Sequence, residues 1–269
     1  MIAHFIRKPF HTFRNALERT ETMAYETEAL FREDSYLSTA EGTVFAIAEN
    51  GGIILDRTNF YATSGGQPGD TGFFERADGS RIGIAATVTG ETKSEIVHMP
   101  GEGQPRPDIG EKLVLHIDWP RRYRLMRMHT ACHLLSVACP FPITGAAVGE
   151  EESRIDFDLP DPSYTKEFVT EKLMELVRAN AAVTTRWISD EELLANPGIV
   201  KSKNVRPPVG SGRIRLVVIG DDGAVDSQPC GGTHVSETQE VGEIHIGKIE
   251  KKGKENRRFR IRFGKAPEA

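Results

Sequence analysis

Cysteine is scarce, with three residues in a chain of 269. That is too few for a disulfide framework. Two of the three, Cys132 and Cys230, sit in or beside histidine motifs, so a reducing cytoplasm is the expected setting. Long apolar runs are also lacking, and no stretch approaches the roughly 18 to 20 residues that a membrane crossing needs. Arg7, Lys8 and Arg14 near the N-terminus are not followed by an apolar run and a small-residue cleavage site, which argues against a secretory signal; Glu18 and Glu21 argue against a transit peptide. Net positive charge is absent as well. The formal charge is −5, whereas proteins that hold nucleic acid by bulk charge are usually basic. There is no internal repeat, no low-complexity segment, no Ser-His-Asp order and no nucleophile elbow, so acyl-enzyme chemistry is disfavoured. A hydrophobic content of 38 % beside 27 % charged residues is that of a globular chain with room for two domains.

What is present divides at Asp118-Trp119-Pro120. Before it, the pattern is all-β. Short runs at 43–48, 52–56, 71–74, 82–88, 94–98 and 112–118 are bounded by turn signals, and Asn50-Gly51-Gly52 and Asp78-Gly79 read as hairpin turns. Several short strands at close spacing predict a small barrel. The Pro- and Gly-rich stretch 101–110 is expected to be a long hairpin loop within it. After the boundary, the pattern becomes α+β. Helical spacing covers 121–139 and 165–182, the latter with Phe168, Val169, Leu173, Leu176 and Val177 as its apolar stripe. A short helix is expected over 190–195. Strands are expected at 154–159, 185–188, 213–220, 243–249 and 258–263, the last two as an antiparallel pair. The expected fold is therefore α+β, with an extension at 1–24, a β-barrel domain at 25–118 and a second domain at 119–269. In the extension, Ile2, Phe5, Ile6, Phe10, Phe13 and Leu17 have loose helical spacing.

Two half-motifs carry the chemistry. Met128-His129-Thr130-Ala131-Cys132-His133 places two imidazoles one helical turn apart on one face. Pro229-Cys230-Gly231-Gly232-Thr233-His234 places a thiol and an imidazole around paired glycines that allow a tight turn. Either pair alone is as readily two packed or surface side chains. Together, His129, His133, Cys230 and His234 make a His₃Cys set that suits Zn²⁺. Four closed protein ligands fit a structural zinc, while a catalytic site keeps a position open. Both readings stand at this level, the second requiring His234 to give way to water or substrate. Cys132 reads as a small core residue.

His-x-x-x-His followed by Leu134-Leu135, with the distant Cys-Gly-Gly-Thr-His, resembles the editing domain of alanyl-tRNA synthetases and the free-standing alanyl-tRNA editing proteins. Thr58 to Gly72, with Gly65-Gly66-Gln67 at its centre, resembles the Gly-Gly-Gln signature of the same family. The resemblance spans roughly residues 25 to 264. It implies the barrel and a zinc-binding editing domain of the threonyl/alanyl-tRNA synthetase second-additional-domain type. It also implies zinc-dependent hydrolysis of the ester joining an amino acid to the 3′ end of tRNA(Ala), with Ser-tRNA(Ala) the chief substrate and Gly-tRNA(Ala) a second candidate. The chain leaves no room for an aminoacylation domain, so the expectation is a trans-editing factor of medium length, with mischarged tRNA(Ala) as its partner, no membrane and no obligate protein partner. Gly65 and Gly66 are expected to offer backbone N–H groups, and Gln67 an amide, to the substrate; the plain alternative is a barrel turn. Thr144 stands where the family places a residue lining the amino-acid pocket, and its hydroxyl is a candidate partner for a seryl side chain. Arg121, Arg122, Arg124 and Arg127, with the basic tail that includes Arg257 and Arg258, are candidate tRNA contacts, the alternative being a solvated charged face. Two rival readings remain: an editing module for another tRNA such as tRNA(Thr), and a zinc-stabilised RNA-binding module without catalysis.

Overall fold

A computed structural model of the chain describes residues 26–92, 94–160, 163–204 and 213–267. The helix expected from Ile2 to Leu17 lies outside them. Eight strands make up the first domain: β1 Glu28–Ala29, β2 Thr39–Ile47, β3 Ile53–Leu55, β4 Arg57–Thr58, β5 Gly72–Glu75, β6 Arg81–Thr89, β7 Ile96–Pro100 and β8 Lys112–Ile117. Six of them close into a barrel in the order β2-β3-β7-β6-β5-β8, and β1 pairs with β4 outside it. Alternation along the strands sends Val44, Ile53, Leu55, Phe74, Ile82 and Leu115 into a common core. The tight turns fall at Gly51 and Gly79, whose φ values of 84° and 81° favour glycine. The stretch 101–110 is not a hairpin. It joins β7 to β8, which are not neighbours: β8 pairs with β2 and β5, and β7 with β3 and β6. Composition marks a loop but does not reveal which strands it joins.

The second domain opens with α1, Trp119–Ala138, capped by the Asp118 side chain and carrying Pro120 in its first turn. There follow β9 Ile143–Ala147, β10 Glu152–Asp158, α2 Lys166–Arg178, β11 Val183–Ile188, α3 Asp190–Ala195, β12 Ile214–Ile219, β13 Asp226–Pro229, β14 Ile244–Lys251 and β15 Asn256–Phe263. An antiparallel sheet runs β14-β15-β10-β9, and a smaller one runs β11-β12-β13. Helices α1 and α2 pack against the apolar face of the larger sheet, where Ile155, Phe157, Phe259 and Ile261 meet Leu125, Leu135, Val169 and Leu173. The middle of α1 is buried on every side, which makes it a rigid support. Helix α2 ends sooner than its spacing predicts because Asn180 turns left-handed at φ 49°. Phe168 is exposed rather than on the buried stripe. Strand β13 was not legible in advance, since Asp-Ser-Gln-Pro lacks β-branched residues. Among the described residues no helix is long and apolar enough to cross a membrane.

Among the described residues, the ion pair of Arg122 with Asp70 joins the domains. Arg122 of α1 is 0 % exposed and reaches into the barrel's 59–70 segment. Its Nε donates to both oxygens of Asp70 at 3.0 Å, Nη1 to the Ser35 carbonyl at 3.0 Å and Nη2 to the Asn59 carbonyl at 2.7 Å. Removing one partner of such a pair leaves a buried charge unmatched, at about 3 to 5 kcal/mol. Arg122→Met is therefore expected to lower the melting temperature by roughly 6 to 20 °C; calorimetry showing a shift within 2 °C would remove this pair from its structural role.

His98 generates a second test. It is wholly buried in the barrel, with Nδ1 donating to the Ile53 carbonyl at 3.0 Å and Nε2 2.9 Å from the Thr58 hydroxyl. Burial pushes its pKa down from 6.5 to about 4. The unfolded chain then takes up this proton first as pH falls. The stabilisation from neutral His98 is full above pH 6.5 and is lost progressively down to about pH 4, on the order of 3 kcal/mol. The melting temperature should drop over that window, and His98→Gln should flatten the drop; identical profiles would exclude His98 as the titrating group.

Candidate metal centre

Helix α1 and the loop after β13 meet at one point. His129 and His133 lie one turn apart on α1, and Cys230 and His234 flank the glycine turn. Their four ligand atoms all lie within 4.8 Å of one another. Cys230 Sγ is 3.6 Å from His129 Nε2 and 3.3 Å from His234 Nε2. Gly232 is required here because a Cβ at this position would collide with the His129 ring. Arg215 of β12 holds the loop's shape, its Nη1 donating to the carbonyls of Cys230 at 3.0 Å and Gly232 at 2.9 Å.

Each imidazole is fixed from behind through Nδ1. His129 Nδ1 is 2.8 Å from Gln67 Oε1, His133 Nδ1 is 3.1 Å from Asp226 Oδ2, and His234 Nδ1 is 3.1 Å from the Thr130 hydroxyl. Gln67 Oε1 and the Asp226 carboxylate only accept, so Nδ1 carries a proton at His129 and His133 and Nε2 is the atom turned toward an ion; the Thr130 hydroxyl can donate to or accept from His234. Asp226 is itself held by Lys201 Nζ at 2.6 Å and Gln228 Nε2 at 2.7 Å.

The electrostatics favour ligand-ready forms at Cys230 and His234, whereas His133 holds a proton that a metal ion would have to displace. Burial raises the Cys230 thiol, but His129 and His234 outweigh it and bring the pKa well below the usual thiol value. Burial, reinforced by His129, lowers His234 to about 3, so it is neutral. Burial opposes charge on His133, yet the Asp226 hydrogen bond prevails and lifts it to about 9; Asp226 falls to about 2 for the reciprocal reason, against its own desolvation. A thiolate and three imidazoles with no carboxylate in the inner ring can hold a metal ion, and that donor chemistry fits zinc.

The remaining candidate residues are placed as follows. Gln67 is fully buried and faces the histidines. Its Oε1 also accepts from Thr233 N–H at 3.1 Å, and its Nε2 donates to the Thr233 hydroxyl at 2.8 Å. Its amide therefore supports a ligand and is turned away from solvent. Gly65 and Gly66 are exposed and form the centre of a turn closed by Ser64 and Gln67 at 2.9 and 3.1 Å. Their φ values of 57° and 86° match a type I′ turn, and their N–H groups meet no acceptor among the described residues. Thr144 is the extra residue of a bulge in β9. Its hydroxyl donates to the Asp156 carbonyl at 3.1 Å and accepts from Asn256 Nδ2 at 2.6 Å, so it joins the polar face of the sheet and not the four-residue cluster.

The arginine clusters are largely neutralised within the chain. Arg122 has no surface with which to meet a phosphate. Arg121 binds Glu150 at 2.7 Å and the Gly69 carbonyl at 2.7 Å. Arg127 donates to the Val241 carbonyl at 2.9 Å and covers the Phe263 ring at 4.4 Å. Arg258 chelates Asp156 at 2.7 and 2.8 Å. Among the described residues, Arg257 reaches the Asn256 carbonyl at 3.2 Å and no carboxylate. Sequence reasoning missed Asp226, Lys201, Thr130 and Arg215. The only signal for Asp226 was its place four residues before Cys230 on a polar stretch, and Thr130 lay in plain view inside His-x-x-x-His.

Comparison with known proteins shows what the chain is similar to. The family model described as threonyl and alanyl tRNA synthetase second additional domain matches residues 214–260, and that for class II (A) tRNA synthetases matches residues 4–121. The chain is 35 % identical over 236 residues to an alanyl-tRNA editing protein AlaX-M of Saccharolobus solfataricus, covering 86 % of this chain and 97 % of that protein. It is 36 % identical over 241 residues to one of Methanosarcina mazei, covering 87 % and 95 %. It is also 36 % identical over 236 residues to an alanine–tRNA ligase of Pyrobaculum arsenaticum, covering 84 % of this chain but 25 % of the ligase.

Groups behind the histidines set metal affinity by orienting the rings. Asp226→Asn and Gln67→Ala should each weaken zinc binding about 10- to 100-fold, read by competition with a chromophoric chelator, while circular dichroism stays that of the parent. Unaltered affinity in both would mean that the Nδ1 partners do not orient the ligands.

Proposed function

The chain belongs to the family of alanyl-tRNA editing proteins of the AlaX-M type, and on that premise we propose that it is a zinc-dependent hydrolase that deacylates mischarged tRNA(Ala), chiefly Ser-tRNA(Ala), with Gly-tRNA(Ala) as a further substrate. The observation that carries the proposal is the convergence of His129, His133, Cys230 and His234 within 4.8 Å. Beside them, the Gly65-Gly66 turn is tied to the same centre through Gln67. Bound there, zinc supplies Lewis acidity and a fixed positive charge beside the ester.

The rest of the task falls to the chain's own groups. An aminoacyl ester is already activated, so the site needs a positioned water, a resting place for the oxyanion and exclusion of alanine. Solvent reaches the centre from the side of Cys230, which is partly exposed, and Gly231, which is exposed. The unengaged N–H groups of Gly65 and Gly66 are suited to receive negative charge on the carbonyl oxygen as water adds to the ester carbon. Collapse of that adduct returns the free amino acid and the 3′-hydroxyl. Gln67 contributes by holding His129, and Asp226 with Lys201 by holding His133. Serine exceeds alanine only by a hydroxyl, so size exclusion cannot favour it and the hydroxyl must be attracted. The Thr144 hydroxyl is already engaged by Asp156 and Asn256, so serine's hydroxyl is met at the histidine–cysteine cluster instead. Of the arginines considered for the tRNA, Arg257 keeps a guanidinium suited to a backbone contact.

A second reading has one observation in its favour. Four protein ligands suit a closed, structural zinc in an RNA-binding module. One assay separates the two. Purified protein should contain about one zinc per chain and should hydrolyse Ser-tRNA(Ala) faster than Gly-tRNA(Ala), with Ala-tRNA(Ala) largely spared. Cys230→Ala should lower kcat/KM roughly 100-fold or more. Stoichiometric zinc without any deacylation would establish the structural reading.

A further inference from the structure

Asp226 divides its two oxygens between His133 and a lysine. Oδ2 lies 3.1 Å from His133 Nδ1 and accepts from Gln228 Nε2 at 2.7 Å. Oδ1 accepts from Lys201 Nζ at 2.6 Å. The carboxylate side chain is 1 % exposed, while that of Lys201 keeps 26 %. Lys201 Nζ also donates to Ser136 Oγ at 3.1 Å, and Ser136 donates in turn to the His133 carbonyl at 2.7 Å. One ammonium therefore acts on His133 by two routes: through the carboxylate behind its ring and through the hydroxyl bonded to its backbone.

Backbone pairing delivers this lysine. After the 3₁₀ turn Pro197–Ile199, the chain runs along the edge of β9. The Ile143 N–H donates to the Lys201 carbonyl at 3.0 Å, and the Lys203 N–H to the Ile143 carbonyl at 2.8 Å. Asn204 Nδ2 donates to the Thr144 carbonyl at 3.0 Å, and Lys203 Nζ meets Asp158 at 2.8 Å. The flexible stem of Lys201 thus starts from a fixed Cα.

Orientation alone does not call for an ammonium here. Gln228 and the His133 ring already hold Oδ2, and a neutral donor could satisfy Oδ1. What lysine adds is charge. A carboxylate that accepts from Nδ1 raises the basicity of Nε2 as a ligand. An ammonium on the same carboxylate draws that charge the other way, and it repels a second cation held through His133. An ion bound there is held less tightly and keeps more of its own charge for polarising a substrate.

We propose that Lys201 is a positioning residue that moderates the pull of Asp226 on His133, so that the centre binds its metal more weakly and polarises the ester more strongly. The effect on rate rests on the deacylase reading; the effect on metal affinity does not.

Three variants separate charge from support. Lys201→Gln keeps a donor and removes the charge, Lys201→Met removes both, and Lys201→Arg keeps the charge. Each is compared with the parent in zinc affinity, by chelator competition, and in deacylation of Ser-tRNA(Ala). Lys201→Gln should bind zinc about tenfold more tightly and lower kcat about tenfold, with KM unchanged. Lys201→Met should move both quantities in the same directions, and Lys201→Arg should stay within about threefold of the parent. A purely structural lysine gives the opposite sign, because Asp226 loses an anchor, His133 is less well oriented and zinc affinity falls. Weaker or unchanged zinc binding in Lys201→Gln overturns the proposal. So does a Lys201→Arg that behaves like Lys201→Gln, or tighter zinc with the parent's kcat. If Lys201→Met fails to fold, the Gln and Arg variants decide. If the parent does not deacylate, the affinity comparison decides alone, and the deacylase reading falls separately.

Discussion

The buried pair of Arg122 and Asp70 sets the geometry on which the rest of the molecule depends. A guanidinium without access to water is tolerated only when its donors are matched, and here Asp70, Ser35 and Asn59 match them. Asp70 is matched in turn by the Tyr61 N–H, 2.6 Å from its Oδ2. The consequence is positional. Segment 59–70 of the barrel is pinned to the first turns of α1, and seven residues along that helix stands His129. Gln67, three residues before Asp70, is thereby brought against the His129 ring. A pair that adds little net stability by itself, because desolvation offsets its attraction, gives two domains a single register.

The same accounting of charge explains why an acidic chain carries so many arginines. On β10, β14 and β15, Arg154, Arg258, Arg260 and Arg262 alternate with Asp156, Glu152 and Glu250 over the outer face of the sheet. These mostly half-buried pairs remove the cations from service elsewhere. A run of arginines in sequence is therefore a poor guide to where a polyanion binds.

Much of this was legible from residue patterns. The barrel strands announced themselves through alternation and glycine turns, and α1 through its spacing and its Asp118-Trp119-Pro120 start; α3 was expected over 190–195, and the capping box of Ser189 and Glu192 that opens it emerged only in the structure. The four metal-capable residues were readable because two short spacings each imply convergence. Long-range partners were not. The order of strands in the barrel depends on pairings that leave no local mark, so the 101–110 connection was assigned to the wrong pair of strands. Arg122 and Arg121 look alike in sequence, although one faces the core and the other Glu150. Gln67 was expected to offer its amide to the substrate; its direction, toward His129 and away from solvent, is set by contacts 62 and 166 residues distant.

Those distances show how the centre is built. The three imidazoles are oriented by three different parts of the chain: a barrel loop for His129, an edge strand for His133 and the helix's own Thr130 for His234. No single element can form the site alone, since a ring whose Nδ1 lacks its partner is free to rotate or to switch tautomer. Gly232 tightens the requirement further, because the absent side chain is what lets the loop close onto His129. Correct metal geometry therefore reports that the barrel and the α+β domain have docked. The barrel belongs to the metal centre as a structural part, and any change that loosens the 59–70 segment should be felt at the histidines before it is felt in the barrel's own core.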